Sequence, residues 1–218
     1  MTIQDIKNIL EDLSKQRPVF HSEADFQQEL AFAIRQKFNT INVRLEKPFN
    51  IDKVKYNKAL DIFLIENKKS KIGIELKYPK NELKIKINKE LFSLSRDNNP
   101  GGTRYSFLHD IKRLEELINQ GDINKGFAIM LTNVKKIQDD KKFQPDKNKQ
   151  DRLEHLRLYA TRTIGKKEKI FFNKTKIAPK SPLKLKYFYL GEQRNYKEFE
   201  WIDYGTENNF KYLLVEVN

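Results

Sequence analysis

The chain contains no cysteine. Disulfides and thiolate metal sites are therefore excluded, zinc held by Cys and His among them, and a reducing, cytoplasmic setting is the expectation. Long apolar runs are missing as well. No window approaches the roughly 20 apolar residues of a membrane helix, so a soluble protein with no membrane partner is expected. The opening MTIQDIKNILEDLSKQ lacks the basic stretch and apolar run of a signal peptide, and its pattern is instead amphipathic. There is no internal repeat and no extended Gly/Ser linker. The three histidines, His21, His109 and His155, show no mutual ligand spacing. NPGGTR, with two glycines before an expected helix, lacks the Gly-Lys-Ser/Thr ending of a phosphate-binding loop, which argues against nucleotide hydrolysis.

Positive charge, by contrast, is in excess. Lys and Arg number 43 against 30 Asp and Glu, a net charge of +13 over 218 residues. A polyanion is the natural partner of such a chain, nucleic acid the commonest, while a lysine-rich surface of solvated loops gives the same balance. The length is that of one substantial domain that buries its own core.

Hydrophobic spacing supplies the elements. Ile6, Ile9, Leu10 and Leu13 fall on one helical face over Ile3–Ser14. Pro18 interrupts, and SEAD then signals a second helix over Glu23–Phe38, with Phe26, Leu30, Ile34 and Phe38 at helical spacing. VRLEKPF, ALDIFLIE and IGIELKY read as strands, RYSFLHDIKRLEELINQ as a long helix stopped at Gly121, and GFAIMLTN as a buried strand. Residues 134–152 are too polar to pack and read as a surface loop. LKLKYFYLG, FEWIDY and FKYLLVEV read as further strands, and LEHLRLYATR stays ambiguous between helix and strand.

The two strands LDIFLIE and IGIELKY carry Asp61, Glu75 and Lys77 where apolar residues are expected. If the linker from Asn67 to Lys71 closes a hairpin with Glu66 opposite Ile72, Phe63 meets Glu75 and Asp61 meets Lys77. Alternation then puts the three charges on one face, and Leu60, Ile62, Leu64, Ile72, Ile74, Leu76 and Tyr78 on the other. Two carboxylates that close repel unless protonated, paired or bridged by a cation, and such hard oxygen donors suit Mg²⁺ or Mn²⁺. A lysine beside them can hydrogen-bond a water and offset charge on a phosphate oxygen.

Asp61, thirteen residues, then Glu75-Leu76-Lys77, on successive strands after a helix carrying Glu23, Phe26 and Leu30, resembles the PD-(D/E)xK nuclease superfamily. Leu60 stands where that motif's proline would be. The likeness runs from HSEADFQQELA to AIMLTN and includes uncharacterised bacterial members. It implies an α/β restriction-endonuclease-like αβββαβ core, a central mixed sheet flanked by helices, at about residues 20–133 of a single domain spanning 1–218, with a strand-rich extension at about 150–218. It also implies a Mg²⁺-dependent deoxyribonuclease, Mn²⁺ substituting, in restriction, defence or repair. The metal would sit on Asp61, Glu75, the Leu76 carbonyl and Glu23, and Lys77 would orient the attacking water. Glu29 is a weaker substitute for Glu23.

Lys80, Arg104, Lys112 and Arg113 are candidates for DNA phosphates, with Tyr105 beside them; a solvated helix face explains the same residues. KIKINK reads as an edge strand whose lysines either block aggregation or meet DNA. Cutting two strands calls for two sites, which a homodimer supplies. A non-catalytic nucleic-acid-binding module and an RNA-directed nuclease are the alternatives.

Overall fold

The computed structural model describes residues 1–49, 58–67, 69–97, 99–138, 170–171, 187–188, 199–206 and 208–218. Helix α1 (Ile3–Gln16) is opened by Thr2, whose hydroxyl accepts from the Asp5 amide at 3.2 Å while the Asp5 carboxylate accepts from the Thr2 amide at 2.7 Å. Its buried residues include the expected Ile6, Ile9, Leu10 and Leu13. In α2 (Glu23–Lys37) Ser22 is the cap, its hydroxyl accepting from the Asp25 amide at 3.1 Å, and Phe26, Leu30 and Ile34 point inward.

Strands β1 (Asn42–Phe49), β2 (Lys58–Glu66) and β3 (Ser70–Lys77) follow, then a hairpin of β4 (Leu83–Ile87) and β5 (Glu90–Leu94). Helix α3 (Pro100–Asn119), strand β6 (Lys125–Thr132) and the short α4 (Lys135–Gln138) come next. Two-residue strands β7 (Ile170–Phe171) and β8 (Tyr187–Phe188) pair with each other, and β9 (Trp201–Asp203) and β10 (Lys211–Val217) complete the described elements. Six strands form one mixed sheet in the order β1-β2-β3-β6-β10-β9, with β3 parallel to β6 and the other neighbours antiparallel. On one face α1 and α2 pack over Ile62, Leu64, Ile72, Ile74 and Leu76; on the other α3 packs over Leu60, Phe63, Ala128 and Met130. The chain is thus a mixed α/β domain whose central sheet is covered by helices on both sides.

Several sequence expectations need correction. The β2–β3 register is Glu66 opposite Ser70 and Ile62 opposite Ile74, two residues away from the expected pairing. The turn is tighter than assumed, with Asn67 left-handed at φ 49° and the Lys69 amide donating to the Glu66 carbonyl at 3.0 Å. A shift of two keeps each residue on its face, but continuing the register sets Asp61 opposite Glu75 rather than Lys77. Leu60 departs from alternation and packs with Phe63 in the α3-side cluster. Helix α3 begins at Pro100, so both glycines of NPGGTR lie inside its first turn, capped by Asn99, which accepts from the Gly102 amide at 3.2 Å. KIKINK is no edge of the main sheet; as β4 it pairs only with β5 among the described residues. The polar stretch after Val134 starts with α4, and LEHLRLYATR, like most of LKLKYFYLG, lies outside the described residues.

Candidate active site

Two glycines set the distance between α3 and the sheet. Gly73 and Gly126 are paired neighbours on β3 and β6, and a Cβ on Gly126 would come within 2.9 Å of Leu114 Cβ. A Cβ on Gly73 would meet Leu60, Ile123 and Leu114 at 2.9 to 3.1 Å. Without those Cβ atoms Leu114 seats directly on the sheet, and the preceding turn of α3 brings Asp110 and Arg113 to Glu75 and Lys77.

Asp61 Oδ2 accepts from the Leu76 amide at 2.6 Å, which ties β2 to β3 through a side chain. The β1–β2 ladder breaks beside it, between the Leu45–Ile62 and Lys47–Leu60 pairs, where Glu46 has φ 51°. Gln27 of α2 fills the break, donating to the Asp61 carbonyl at 2.6 Å and to Glu46 Oε1 at 2.7 Å. Glu23, the first residue of α2, accepts from the Tyr78 amide at 2.7 Å. Tyr78 holds the chain entering that helix, its hydroxyl donating to the Phe20 carbonyl at 3.0 Å and accepting from the Phe20 amide at 3.1 Å. Glu75, 1% exposed, is ion-paired with Arg113. Lys77 Nζ lies 2.8 Å from Asp110 Oδ2 and donates to the Leu76 carbonyl at 2.9 Å, and Arg113 Nη2 is 3.6 Å from Asp110 Oδ1. The result is a crossed pair of ion pairs, acid and base on β3 facing base and acid on α3.

Burial pushes the carboxyls of Glu23 and Asp61 above their ordinary range, and Glu75 further still despite Arg113 beside it. The charge of Asp110 adds to the effect on all three, and that of Asp61 to the effect on Glu23 and Glu75. For Lys77 burial acts to lower the pKa, but Asp110, Glu23 and Asp61 outweigh it and the ammonium is held above its usual value. Lys77 is therefore a cation at neutral pH, suited to orienting and charge stabilisation rather than to proton abstraction.

The structure gathers Asp61, Glu75, Leu76, Lys77 and Glu23 at one place. It turns Arg104 and Arg113 inward, 4% and 7% exposed, Arg104 donating to the Lys136 carbonyl and Arg113 committed to Glu75. A basic face on α3 built on these two is therefore not what the helix presents. Lys112 lies 3.4 Å from Glu116, and Lys80 3.4 Å from Asp97 across a β-bridge. Glu29 is paired with Arg17 at 3.0 Å, away from the cluster. His21 meets Glu90 at 2.8 Å and stacks on Phe92, His109 approaches Tyr105, and His155 lies outside the described residues. An open groove of about 790 Å³ beside α1 and β9, lined by Lys7, Glu11 and Tyr212, contains none of the site groups.

Sequence reading missed Asp110, Gln27 and the true partner of Arg113. Asp110 and Arg113 recur with Phe107, Leu114 and Leu117 at helical core spacing, and charges at core positions were the available signal.

As to a metal, the donor chemistry fits. Glu75 Oε1 is buried without a hydrogen-bond partner among the described residues, and burial raises the carboxyls of Glu75, Asp61 and Glu23, so a further cation would be favoured there. No group of three or more His, Asp or Glu residues already converges as a metal cage among the described residues. No helix of the described residues is long and apolar enough to cross a membrane. The fold and site together define a mixed α/β domain with a cluster of carboxylates and a lysine, half-buried around the buried Glu75, at the ends of two central strands. No family model, curated protein or solved structure matches the chain.

Proposed function

We propose that this protein is a metal-dependent nuclease of the restriction-endonuclease-like class that hydrolyses phosphodiester bonds in DNA. The observation that carries the reading is the grouping of Asp61, Glu75 and Lys77 on neighbouring strands with Glu23 arriving from α2, Glu75 buried, Asp61 and Lys77 half-buried and Glu23 exposed at the rim. A carboxylate buried as deeply as Glu75, with further carboxylates and a lysine around it, is commonly retained for chemistry.

In this reading Asp61 and Glu75, with the Leu76 carbonyl and Glu23, would hold Mg²⁺ or Mn²⁺. The ion would supply charge opposite the scissile phosphate and acidify a bound water. Lys77, protonated and fixed by Asp110, orients the attacking water and offsets charge on the phosphate oxygen. Asp61 anchored on the Leu76 amide and Glu23 on the Tyr78 amide keep their carboxylates in place before substrate arrives. The net charge of +13 favours a polyanionic substrate. A cytoplasmic role in restriction, defence or repair, with two copies acting on two strands, accords with this reading.

The second reading is a binding module of the same architecture without catalysis. It is favoured by the Glu75–Arg113 pair, which already gives Glu75 a cation. The two separate on supercoiled plasmid, single-stranded DNA and RNA incubated with Mg²⁺, Mn²⁺ or EDTA, with Asp61→Ala and Lys77→Ala beside the parent. Metal-dependent cutting of DNA lost in both variants is expected. Retention of DNA without cutting assigns the binding module, equal cutting by parent and variants removes this site from the chemistry, and cutting confined to RNA changes the substrate.

A further inference from the structure

The β4–β5 hairpin stands apart from the main sheet and is two-faced. Leu83, Ile85, Ile87, Phe92 and Leu94 turn toward the α1/α2 core, while Lys84, Lys86, Leu91 and Ser93 are exposed on the other side. The ribbon is built to hold its shape. Asn88 and Lys89 both have positive φ, 49° and 72°, as a two-residue type I′ turn requires, and that turn follows the natural twist of the strands. Its base is closed by the Lys80–Asp97 bridge, and its side is pinned where His21 stacks on Phe92 at 4.6 Å and meets Glu90.

The ribbon leaves β3 a few residues after Lys77, and its pin, His21, is two residues before Glu23, so it borders the carboxylate cluster. Lys84 and Lys86 point the same way, and neither has an ion-pair partner among the described residues. Lys15, Lys77, Lys80, Lys112, Lys125 and Lys211 are each paired with a carboxylate; Lys7, Lys37, Lys69 and Lys71 also have no ion pair among the described residues, so what sets Lys84 and Lys86 apart is their shared face on the ribbon. The tip adds Lys89, and Arg96 is exposed just past β5.

We propose that the outer face of the β4–β5 hairpin is a docking surface for the phosphate backbone of duplex DNA flanking the bond to be cut; it rests on the nuclease reading. Two-stranded ribbons fit against and into a DNA groove, and a rigid one bearing lysines at alternate positions meets phosphates without large ordering cost. The face carries no aromatic side chain on which unstacked bases could lie, since Phe92 is turned inward, and this favours duplex over single strand.

The test measures binding of fluorescein-labelled duplex and single-stranded DNA by anisotropy in EDTA, across a salt series, alongside plasmid cleavage with Mg²⁺. Lys84→Gln/Lys86→Gln is compared with Lys69→Gln/Lys71→Gln, which makes the same charge change at the opposite end of β3. Both variants are first shown to melt like the parent. Loss of the hairpin lysines is expected to weaken duplex binding roughly tenfold at low salt and to reduce the slope of log affinity against log salt by about 1.8, while the control stays close to the parent. Equal losses in both variants, no loss in either, or a larger loss on single strands than on duplex each overturns the proposal. A parent that never cuts but loses duplex affinity only through Lys84 and Lys86 keeps the surface and removes the nuclease reading. A parent that cuts, with a hairpin variant that binds and cuts equally well, does the reverse.

Discussion

Glu75 and Lys77 stand two residues apart on β3, and each faces an opposite charge on α3. The matching makes opposite predictions for the two α3 residues. Arg113 acts to lower the Glu75 pKa and Asp110 to raise it. If Glu75 must be ionised for cutting, Arg113→Gln moves the acid limb of the cleavage–pH profile upward and Asp110→Asn moves it downward. Shifts in the same direction would mean that displaced geometry, rather than charge, limits the reaction. Stability carries the same signature. The Asp61 carboxyl is raised above its ordinary 3.8 by burial, so the folded state holds that proton more tightly than the unfolded chain. Its contribution to stability is complete below about pH 4 and is lost as pH rises through the folded value. Asp61→Asn keeps an oxygen for the Leu76 amide and has no charge to bury. In urea unfolding the variant should therefore gain on the parent between pH 4 and pH 8, and a gap independent of pH would contradict the assignment. At this scale Asp61, Glu75, Lys77 and Glu23 were legible because charge in a strand, or at a helix start, breaks an apolar pattern. Gln27 was not, because its role depends on a break in the β1–β2 ladder that no local spacing reveals.

Helix α3 reaches the cluster only because β3 and β6 present glycine to Leu114. Adding a methyl group at Gly126 sets it 2.9 Å from Leu114 Cβ, an atom fixed to the helix backbone, so the helix itself has to move. Overpacking of this kind costs about 1–3 kcal/mol. Gly126→Ala should lower the denaturation midpoint accordingly and reduce cleavage, since Asp110 and Arg113 move with Leu114; unchanged stability with full cleavage would show that the seat is not tight. Helix and strand positions were readable from periodicity and caps: Ser22 opens α2 and Gly121, at φ 78°, follows α3. The β2–β3 register was not, because it depends on how Asn67 folds the turn, and strand alternation is blind to a shift of two.

Across the whole molecule, the motif-bearing part is incomplete by itself. β6, the last strand before residue 133, is flanked by β3 on one side and β10 on the other. FKYLLVEV reads as a strand from its sequence, but nothing in that sequence places it beside β6, because a pairing between Thr132 and Lys211 at one end and Gly126 and Val217 at the other leaves no local signal. The contacts of this last segment reach the site's own supports: Phe210 stacks on Tyr78 at 5.7 Å, and the Tyr204 hydroxyl donates to the Arg17 carbonyl at 3.0 Å. A chain ended after residue 133 would expose the ladder groups of β6 that pair with Lys211–Val217 and uncover Phe127, Ile129 and Leu131, apolar residues on a bare central strand. Such a chain should aggregate, or melt without a cooperative transition. A soluble, cooperatively melting product that still retains DNA would show instead that β9 and β10 are an addition to a fold complete without them.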